Sequence, residues 1–260
     1  MTEYAAIQTE RKGLSANSLK TIAIVAMIID HIANVFVPWG NPLSSIMHCV
    51  GRITGPTMFY FIVEGYYHTH NVNRYTLRLA IFAAISYVPF IYCLYTAWPN
   101  RDNFFHLNVI YTLFLGLLAI RTRHEIKNPI IKWGIIVVIL LASYLGDWEY
   151  LGILIILAFD FFRGNFKQQA FAYSSLVLYK MIPQAVYPLT AYLYNMNFSM
   201  DVVTEMINST IVQLGMFLPI LLLSHYNGEK GHSSKISKWG FYIFYPLHLM
   251  VIGLIYRYLN

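Results

Sequence analysis

The sequence predicts an all-α protein, a polytopic integral membrane protein of about nine to ten transmembrane helices in one bundle. Three observations carry that expectation. Of the 260 residues, 57% are hydrophobic and only 12% are charged, with a mean hydropathy of +0.51. That composition is too apolar for a soluble domain of this size. The apolar residues come in long runs between short polar breaks, and about 20 such residues are enough to cross a bilayer. Lys and Arg then collect in alternate breaks, which is how cytoplasmic loops are marked.

The runs fall near 19–38, 46–67, 76–96, 104–120, 130–145, 150–162, 168–195, 204–223 and 238–257. Lys180 and Pro183 interrupt the seventh run and Pro188 follows, so a broken helix or two short segments is expected there, the latter giving a tenth crossing. The runs at 130–145 and 150–162 are short, and helices of that length line a cavity or lie partly within protein. With the N-terminus inside, the inner segments hold Arg11, Lys12, Lys20, Arg74, Arg78, Arg121, Arg123, Lys127, Lys132, Arg163, Lys167, Lys230, Lys235 and Lys238, fourteen of the 18 basic residues. Arg101 and Arg257 fall outside, and Arg52 and Lys180 lie within apolar stretches. This asymmetry predicts a cytoplasmic segment over 1–18 and one membrane domain over 19–260, multi-pass in the cell membrane. The polar start has no apolar core followed by a small-residue cleavage site, so no removable signal peptide is expected.

The remaining composition excludes several classes. The net charge of +6 is divided among loops, which argues against nucleic-acid binding. Cys49 and Cys93 are too few for a disulfide framework or a four-cysteine zinc site, and no metal is expected. Both lie near the outer surface, where a single disulfide between them is the alternative to two free thiols.

An ionisable side chain at bilayer depth is costly unless it is paired or hydrated, so each one marks a functional candidate. Asp30 and His31 lie past the middle of the first run, toward its outer end. His48 and Arg52 open the second run, with Glu64 near its inner end. His106 and Asn108 open the fourth, Asp147 and Glu149 sit in the outer loop GDWEY, and His248 follows Pro246 in the last run. Lys20 and His31 are eleven residues apart, close to three turns of about 3.6 residues, which puts them on one face about 16 Å apart in height. Asp30 points about 100° away on the same helix, so its expected partner is a cation from elsewhere, and Arg52 has the matching depth. His248, beside a proline, is expected to face the same cavity as His31. Structural readings stand beside these. His31 as a core histidine bonded to a carbonyl, Arg52 as a geometric strut, and His48, His106 and the loop carboxylates as interfacial residues would need no chemistry. His68 and His70 read as cytoplasmic cap residues.

Six blocks in order, LKTIAIVAMIIDHI at 19–32, GRITGPTMFYFIVEG at 51–65, RYTLRLAIFAAISYVPF at 74–90, NVIYTLFLGLLAI at 108–120, DWEYLGILIIL at 147–157 and WGFYIFYPLHLMVIGLI at 239–255, resemble the TraX family. That family is named for the membrane protein that N-acetylates the pilin subunit of conjugative pili. It is similar in turn to a wider superfamily of membrane acyltransferases, which includes the surface-polysaccharide O-acyltransferases and the lysosomal heparan-glucosaminide acetyltransferase. There the first core helix carries a basic residue, ten intervening residues and a catalytic His, positions held here by Lys20 and His31. The usual basic residue is Arg, and the Gly that follows it is absent here.

The resemblance implies transfer of an acyl group, above all acetyl, from cytoplasmic acyl-CoA to an amine or hydroxyl acceptor at the outer side: a pilin-like N-terminus, a glycan or a small molecule. His31 would be the general base, with Asp30 and His248 beside it, and Arg52, Asn108 or backbone donors would hold the oxyanion. Lys20, Arg74 and Arg78 would meet the CoA phosphates. The competing expectation is a proton-coupled transporter or flippase built on His31, Asp30 and Arg52 at a broken-helix interface. The sequence shows no inverted repeat in its favour. A structural scaffold would leave the buried ionisable groups unexplained.

Overall fold

The computed structural model describes residues 12–193, 200–231 and 235–260, and among them the chain is helical with no β-strand. The helices are α1 (Ala16–Phe36), α2 (Pro42–Gly51), α3 (Thr54–His68), α4 (Val72–Ile85), α5 (Tyr87–Leu94), α6 (Val109–Glu125), α7 (Pro129–Ser143), α8 (Glu149–Phe161), α9 (Phe166–Leu193), α10 (Met200–Leu214), α11 (Leu218–Leu223) and α12 (Lys235–Leu259). Their starts are written into the sequence. Ser15, Asn41, Asn71, Asn108 and Asn128 each accept hydrogen bonds from N–H groups of the first turn of α1, α2, α4, α6 and α7. Those donors have no partner within a helix, and α2 and α7 add a proline in the first turn, where a missing N–H costs nothing.

Helix occupies every predicted run, but few of the helices are complete crossings. Ala16–Phe36, Val202–Leu223 and Trp239–Leu259 are each long and apolar enough to span a membrane, and α4 with α5, bent by 41° at their junction, makes a fourth if taken as one span. This falls below the nine to ten expected from apolar runs alone. The second run is divided where α2 ends at Gly51 and α3 begins at Thr54, and α8 has 13 residues, about 20 Å against a hydrocarbon core of about 30 Å. The seventh run is one continuous helix through Lys180 and Pro183 to Leu193, so the two-segment alternative is set aside over these residues. Residues 194 and 195 lie outside the described ones. Cys49 and Cys93 are free thiols.

The core is assembled around α3, α6 and α8. Phe59, Leu117, Ile120, Ile155, Ile156 and Phe159 are fully buried and pack in one cluster, joined by Tyr173 of α9 and Leu249 of α12. Lipid tails are as apolar as these side chains, so the association rests on close packing and on polar contacts between helices. Small residues allow both. Ala23, Ala26 and Ala33 line the buried side of α1, and the Thr54 hydroxyl donates to the Ala23 carbonyl at 2.8 Å. At Gly55 a Cβ would run into the Trp148 indole, and at Gly51 it would run into the Asp30 side chain.

An ionic knot fixes the C-terminal ends of the same three helices. Asp160 on α8 is fully buried and is met by Arg123 Nε at 2.9 Å, His124 Nε2 at 3.1 Å and the Tyr67 hydroxyl at 2.8 Å. Arg163, just beyond α8, makes a two-pronged contact with Glu64 of α3 at 2.8 and 3.1 Å. Removing the shared acid strands three polar partners, so Asp160→Ala is expected to destabilise the fold by about 3–5 kcal/mol. Reversible unfolding in detergent measures this, and a loss below about 1 kcal/mol would mean that the knot is solvated.

Candidate active site

Two buried histidines from the first and last helices meet. His31 on α1 and His248 on α12 are both buried, with Nδ1 of His31 2.9 Å from Nε2 of His248. Their rings are near parallel, with centroids 5.1 Å apart, and Phe244 stacks on His248 at 4.9 Å. The second nitrogen of His248, Nδ1, lies 2.9 Å from the Phe244 carbonyl oxygen one turn back. A carbonyl only accepts, so this nitrogen carries the hydrogen, and in a neutral ring Nε2 of His248 is then the acceptor. His31 must therefore donate from Nδ1, which leaves its Nε2 with a free lone pair. The Phe244 carbonyl thus sets the tautomer of His31 through one intervening ring.

Asp30 is not paired with Arg52. Its Oδ1 lies 2.8 Å from Nδ1 of His48, and among the described residues no ion pair joins it to the guanidinium. The cause is the face that α2 turns to α1. His48 and Gly51 are one turn apart, and the missing Cβ of Gly51 lets Asp30 lie against that face, where His48 is the side chain within reach. Trp39, in the turn between the two helices, stacks on His48 with centroids 4.6 Å apart and planes 12° apart. Nε2 of His48 is fully buried and has no hydrogen-bond partner among the described residues. His48, expected at the interface, is thus part of the buried contact; its spacing of three from Gly51 is the one sign of this in the sequence.

Arg52 follows α2 as its C-cap, half-buried, with Nε enclosed and unpartnered. Its electrostatic surroundings are Asp147 and Lys180. Asp147 is held by backbone pairing of the two outer loops, Leu107 N–H to Leu145 O at 2.7 Å and Asp147 N–H to Leu107 O at 2.9 Å. It borders a cleft of about 110 Å³ lined by Trp148, Glu149, Tyr150, Tyr179 and Lys180. Glu149 adopts φ +44°, a left-handed backbone that costs about 1–3 kcal/mol outside glycine and clusters at functional turns. Asp147 keeps an exposed edge, yet crowding of its carboxyl by the surrounding protein pushes it up to about 6; the nearby Arg52 opposes this rise, Asp30 adds to it and Lys180 opposes it.

Asn108 has a different employment from oxyanion donor. Its Oδ1 accepts from Ile110 and Tyr111 N–H, and its amide donates to the Ala83 carbonyl at 2.8 Å. The side chain is buried and committed to capping α6 and tying it to α4. His106 leans on the Tyr95 ring and takes no part. His68 bonds the Glu64 carbonyl oxygen at the end of α3, and His70 is exposed in the turn after it.

At the end of the bundle where α1 and α12 begin, Lys20 Nζ sits 4.9 Å from the Phe61 ring centroid and 6.0 Å from that of Phe241. Arg78 lies 5.6 Å over the Tyr75 ring, hydrogen-bonds Tyr242, and keeps its Nε buried without a partner. Both cations thus border the first turns of α12. Arg74, one turn before Arg78 on α4, is exposed.

The family model described as TraX protein matches residues 15–256. The chain belongs to the TraX family. Every residue of both clusters, from Lys20 to His248, falls inside the matched region. A relative in Dichelobacter nodosus, the probable fimbrial assembly protein FimC of serogroup H1, is 30% identical over 246 residues, covering 92% of this chain and 94% of the relative. No solved structure matches the chain. For this TraX-family protein the pairing of Asp30 is open to a direct test. Asp30→Ala and His48→Ala are expected to be less than additive in stability by about 1 kcal/mol or more, whereas Asp30→Ala and Arg52→Ala should add within about 0.5 kcal/mol. Detergent unfolding of the two cycles decides it, and coupling confined to the Arg52 cycle would reverse the assignment.

Asp147 supplies a pH test. Its folded value of about 6 lies above its ordinary 3.8, so between about pH 4 and 6 the folded state binds more protons than the unfolded chain. Its contribution to stability therefore falls as pH rises through that window and is level above it. Relative to wild type, Asp147→Asn should gain unfolding temperature progressively from about pH 4 to 6. A difference independent of pH would show that the carboxyl titrates normally.

Proposed function

We propose that this protein is a membrane-embedded acyltransferase that moves an acyl group from cytoplasmic acyl-CoA to an amine at the outer side, with His31 as general base. The observation that carries this reading is the relay from the Phe244 carbonyl through His248 to His31. It leaves a buried, neutral imidazole with one nitrogen fixed as donor and the other bearing a lone pair, the state a general base needs. A histidine serving only the packing has no need of a second histidine to define its tautomer.

The inner cations fit the donor. The unpartnered guanidinium nitrogen of Arg78 and the ammonium of Lys20 offer positive charge to phosphate groups at the inner mouth. An extended pantetheine arm reaches from there along the roughly 16 Å between Lys20 and His31. As the acceptor nitrogen attacks the thioester carbonyl, His31 Nε2 takes its proton. The C–S bond then breaks, and the proton passes to the departing sulfur, giving an amide and CoA thiol. His248 holds the transient imidazolium by accepting from its Nδ1–H. Arg52, with its free Nε at the outer level, is the candidate to face the oxyanion. The relative named for fimbrial assembly favours a pilin-like N-terminal amine as acceptor. In this reading the shorter helices complete nine crossings with the N-terminus cytoplasmic, as the distribution of Lys and Arg requires.

His31→Ala is expected to lower turnover by about a hundredfold or more with the Michaelis constant for acyl-CoA little changed. His31→Gln keeps the volume and a hydrogen-bond donor and should lose as much. His248→Gln, which keeps an acceptor for His31 Nδ1–H, should retain more activity than His248→Leu. Release of CoA thiol by purified protein in vesicles is the assay. A transporter would bind its cargo without consuming thioester, and near wild-type turnover by folded His31→Ala protein would remove His31 from the role.

A further inference from the structure

The chemistry of an amine acceptor leaves one proton unaccounted for by His31. An α-amino group, with an ordinary value of about 8, arrives at neutral pH mostly as the ammonium. Forming the amide removes two protons from that nitrogen. One is carried by His31 to the departing sulfur, and the other is surplus and must leave the site. His31 returns to its starting state once it has protonated the thiolate, and its one side-chain hydrogen-bond partner among the described residues, His248, ends in a backbone carbonyl that cannot hold a proton. The His31 relay therefore has no exit.

Resting on the acyltransferase reading, we propose that His48, held by Asp30, is the residue that takes the surplus proton from the acceptor ammonium and passes it to the outer side. The Asp30 carboxylate accepts from Nδ1 of His48 at 2.8 Å, which fixes the hydrogen on that nitrogen and leaves the lone pair on Nε2. Nε2 is the enclosed, unpartnered end of a ring that is only 4% exposed. An unsatisfied buried nitrogen is a cost that a purely structural histidine has no reason to bear. The carboxylate at the other end is about one-third exposed. A proton received at Nε2 is thus balanced by one leaving Nδ1 for Asp30 and then water, and a half-turn of the ring about its Cβ–Cγ bond brings the remaining N–H back to Asp30 and restores the starting tautomer. The imidazolium formed in passing meets a carboxylate on one side and the Trp39 indole face on the other, both favourable to a cation.

The placement suits the task. Asp30 precedes His31 in sequence, and both Asp30 and His48 lie close enough to His31 to act on its charge. The other ionisable groups around the pair are His31 on α1 with His248 of α12 behind it, Cys49 and Arg52 on α2, and, within electrostatic reach of Asp30 and Arg52, Asp147 of the outer loop and Lys180 of α9. α10, which also packs on α2, carries Glu205, an exposed side chain.

The pH profile of turnover with a peptide amine acceptor separates this role from others. His48→Gln preserves a hydrogen bond to Asp30 and carries no proton. Turnover in this variant should fall roughly tenfold or more at about pH 6.5 and recover to within about threefold of wild type at about pH 9.5, where the acceptor arrives as free amine and no surplus proton exists. Asp30→Asn, which blocks the exit at its other end, should show the same recovery if His48→Gln does not fold. His31→Ala should show none. A deficit in His48→Gln and Asp30→Asn that is constant across pH, or the absence of one, would overturn the proposal while leaving the acyltransferase reading intact. Absence of CoA thiol release by the wild-type protein would instead overturn that underlying reading.

Discussion

A neutral imidazole buried in a helix bundle is useful only if something decides which nitrogen carries the hydrogen. For His31 that decision is made 217 positions away in sequence, by a backbone carbonyl acting through His248. The bond joins the first helix to the last, so whatever seats α12 against α1 also sets the protonation pattern of the site. Phe244 and Tyr245 on the flanks of His248, and the packing of α12 on α5 and α1, are the supports that keep this geometry fixed. A shift of one turn in α12 would leave His31 with an undefined tautomer.

Around this axis the charged groups are sorted by depth. The inner knot on Asp160 has every partner close and well aligned, as a structural ion pair must when it is withdrawn from water. The outer set is looser: Arg52 and His48 each keep a nitrogen enclosed without a partner, and Asp147 shares its surroundings with two cations and another carboxylate. Arg78 repeats the unpartnered pattern at the inner mouth. Unsatisfied polar atoms are a cost to folding; among the described residues buried hydroxyls of Ser44, Thr57, Ser86 and Thr112 share this state, but the ionisable side chains that do so, His48, Arg52 and Arg78, all lie outside the Asp160 knot, the pattern expected of groups kept ready for a ligand.

The helical class and the identity of the buried groups were legible because both follow from local sequence. Apolar runs announce helices, and a charged residue inside one announces itself. The meeting of His31 and His248 was also within reach, since Pro246 singles out that part of α12. Pair assignments were less accessible. Matching Asp30 to Arg52 by depth ignored which face of α2 turns to α1, and that face is set by the absence of a Cβ at Gly51, a contact visible only in three dimensions. Asn108 was misjudged for a related reason: an Asn before an apolar run is both a polar group at depth and an N-cap, and its position ahead of Val109 made the cap the stronger demand. Of the expected nine to ten runs, three or four among the described residues are helices long enough to cross alone, because hydropathy records how apolar a run is and not whether the helix continues through it.

The short and broken helices bear on the chemistry as well. A helix of 13 residues such as α8 cannot carry an apolar surface across the whole hydrocarbon layer, so its outer end, the turn with Asp147 and the strained Glu149, must lie below the level that full crossings would reach. That brings water and polar backbone down toward Asp30 and Arg52. The break between α2 and α3 acts in the same direction by placing Arg52 and its neighbours at a helix end, where backbone groups already need polar company. From the inner side, Lys20 stands one unbroken helix face below His31. Under the proposed function, His31 therefore sits where the polar region from the Asp147 end comes nearest to a path from the Lys20 end, and a transfer between a donor and an acceptor on opposite sides would need that thinness more than it would need any single residue.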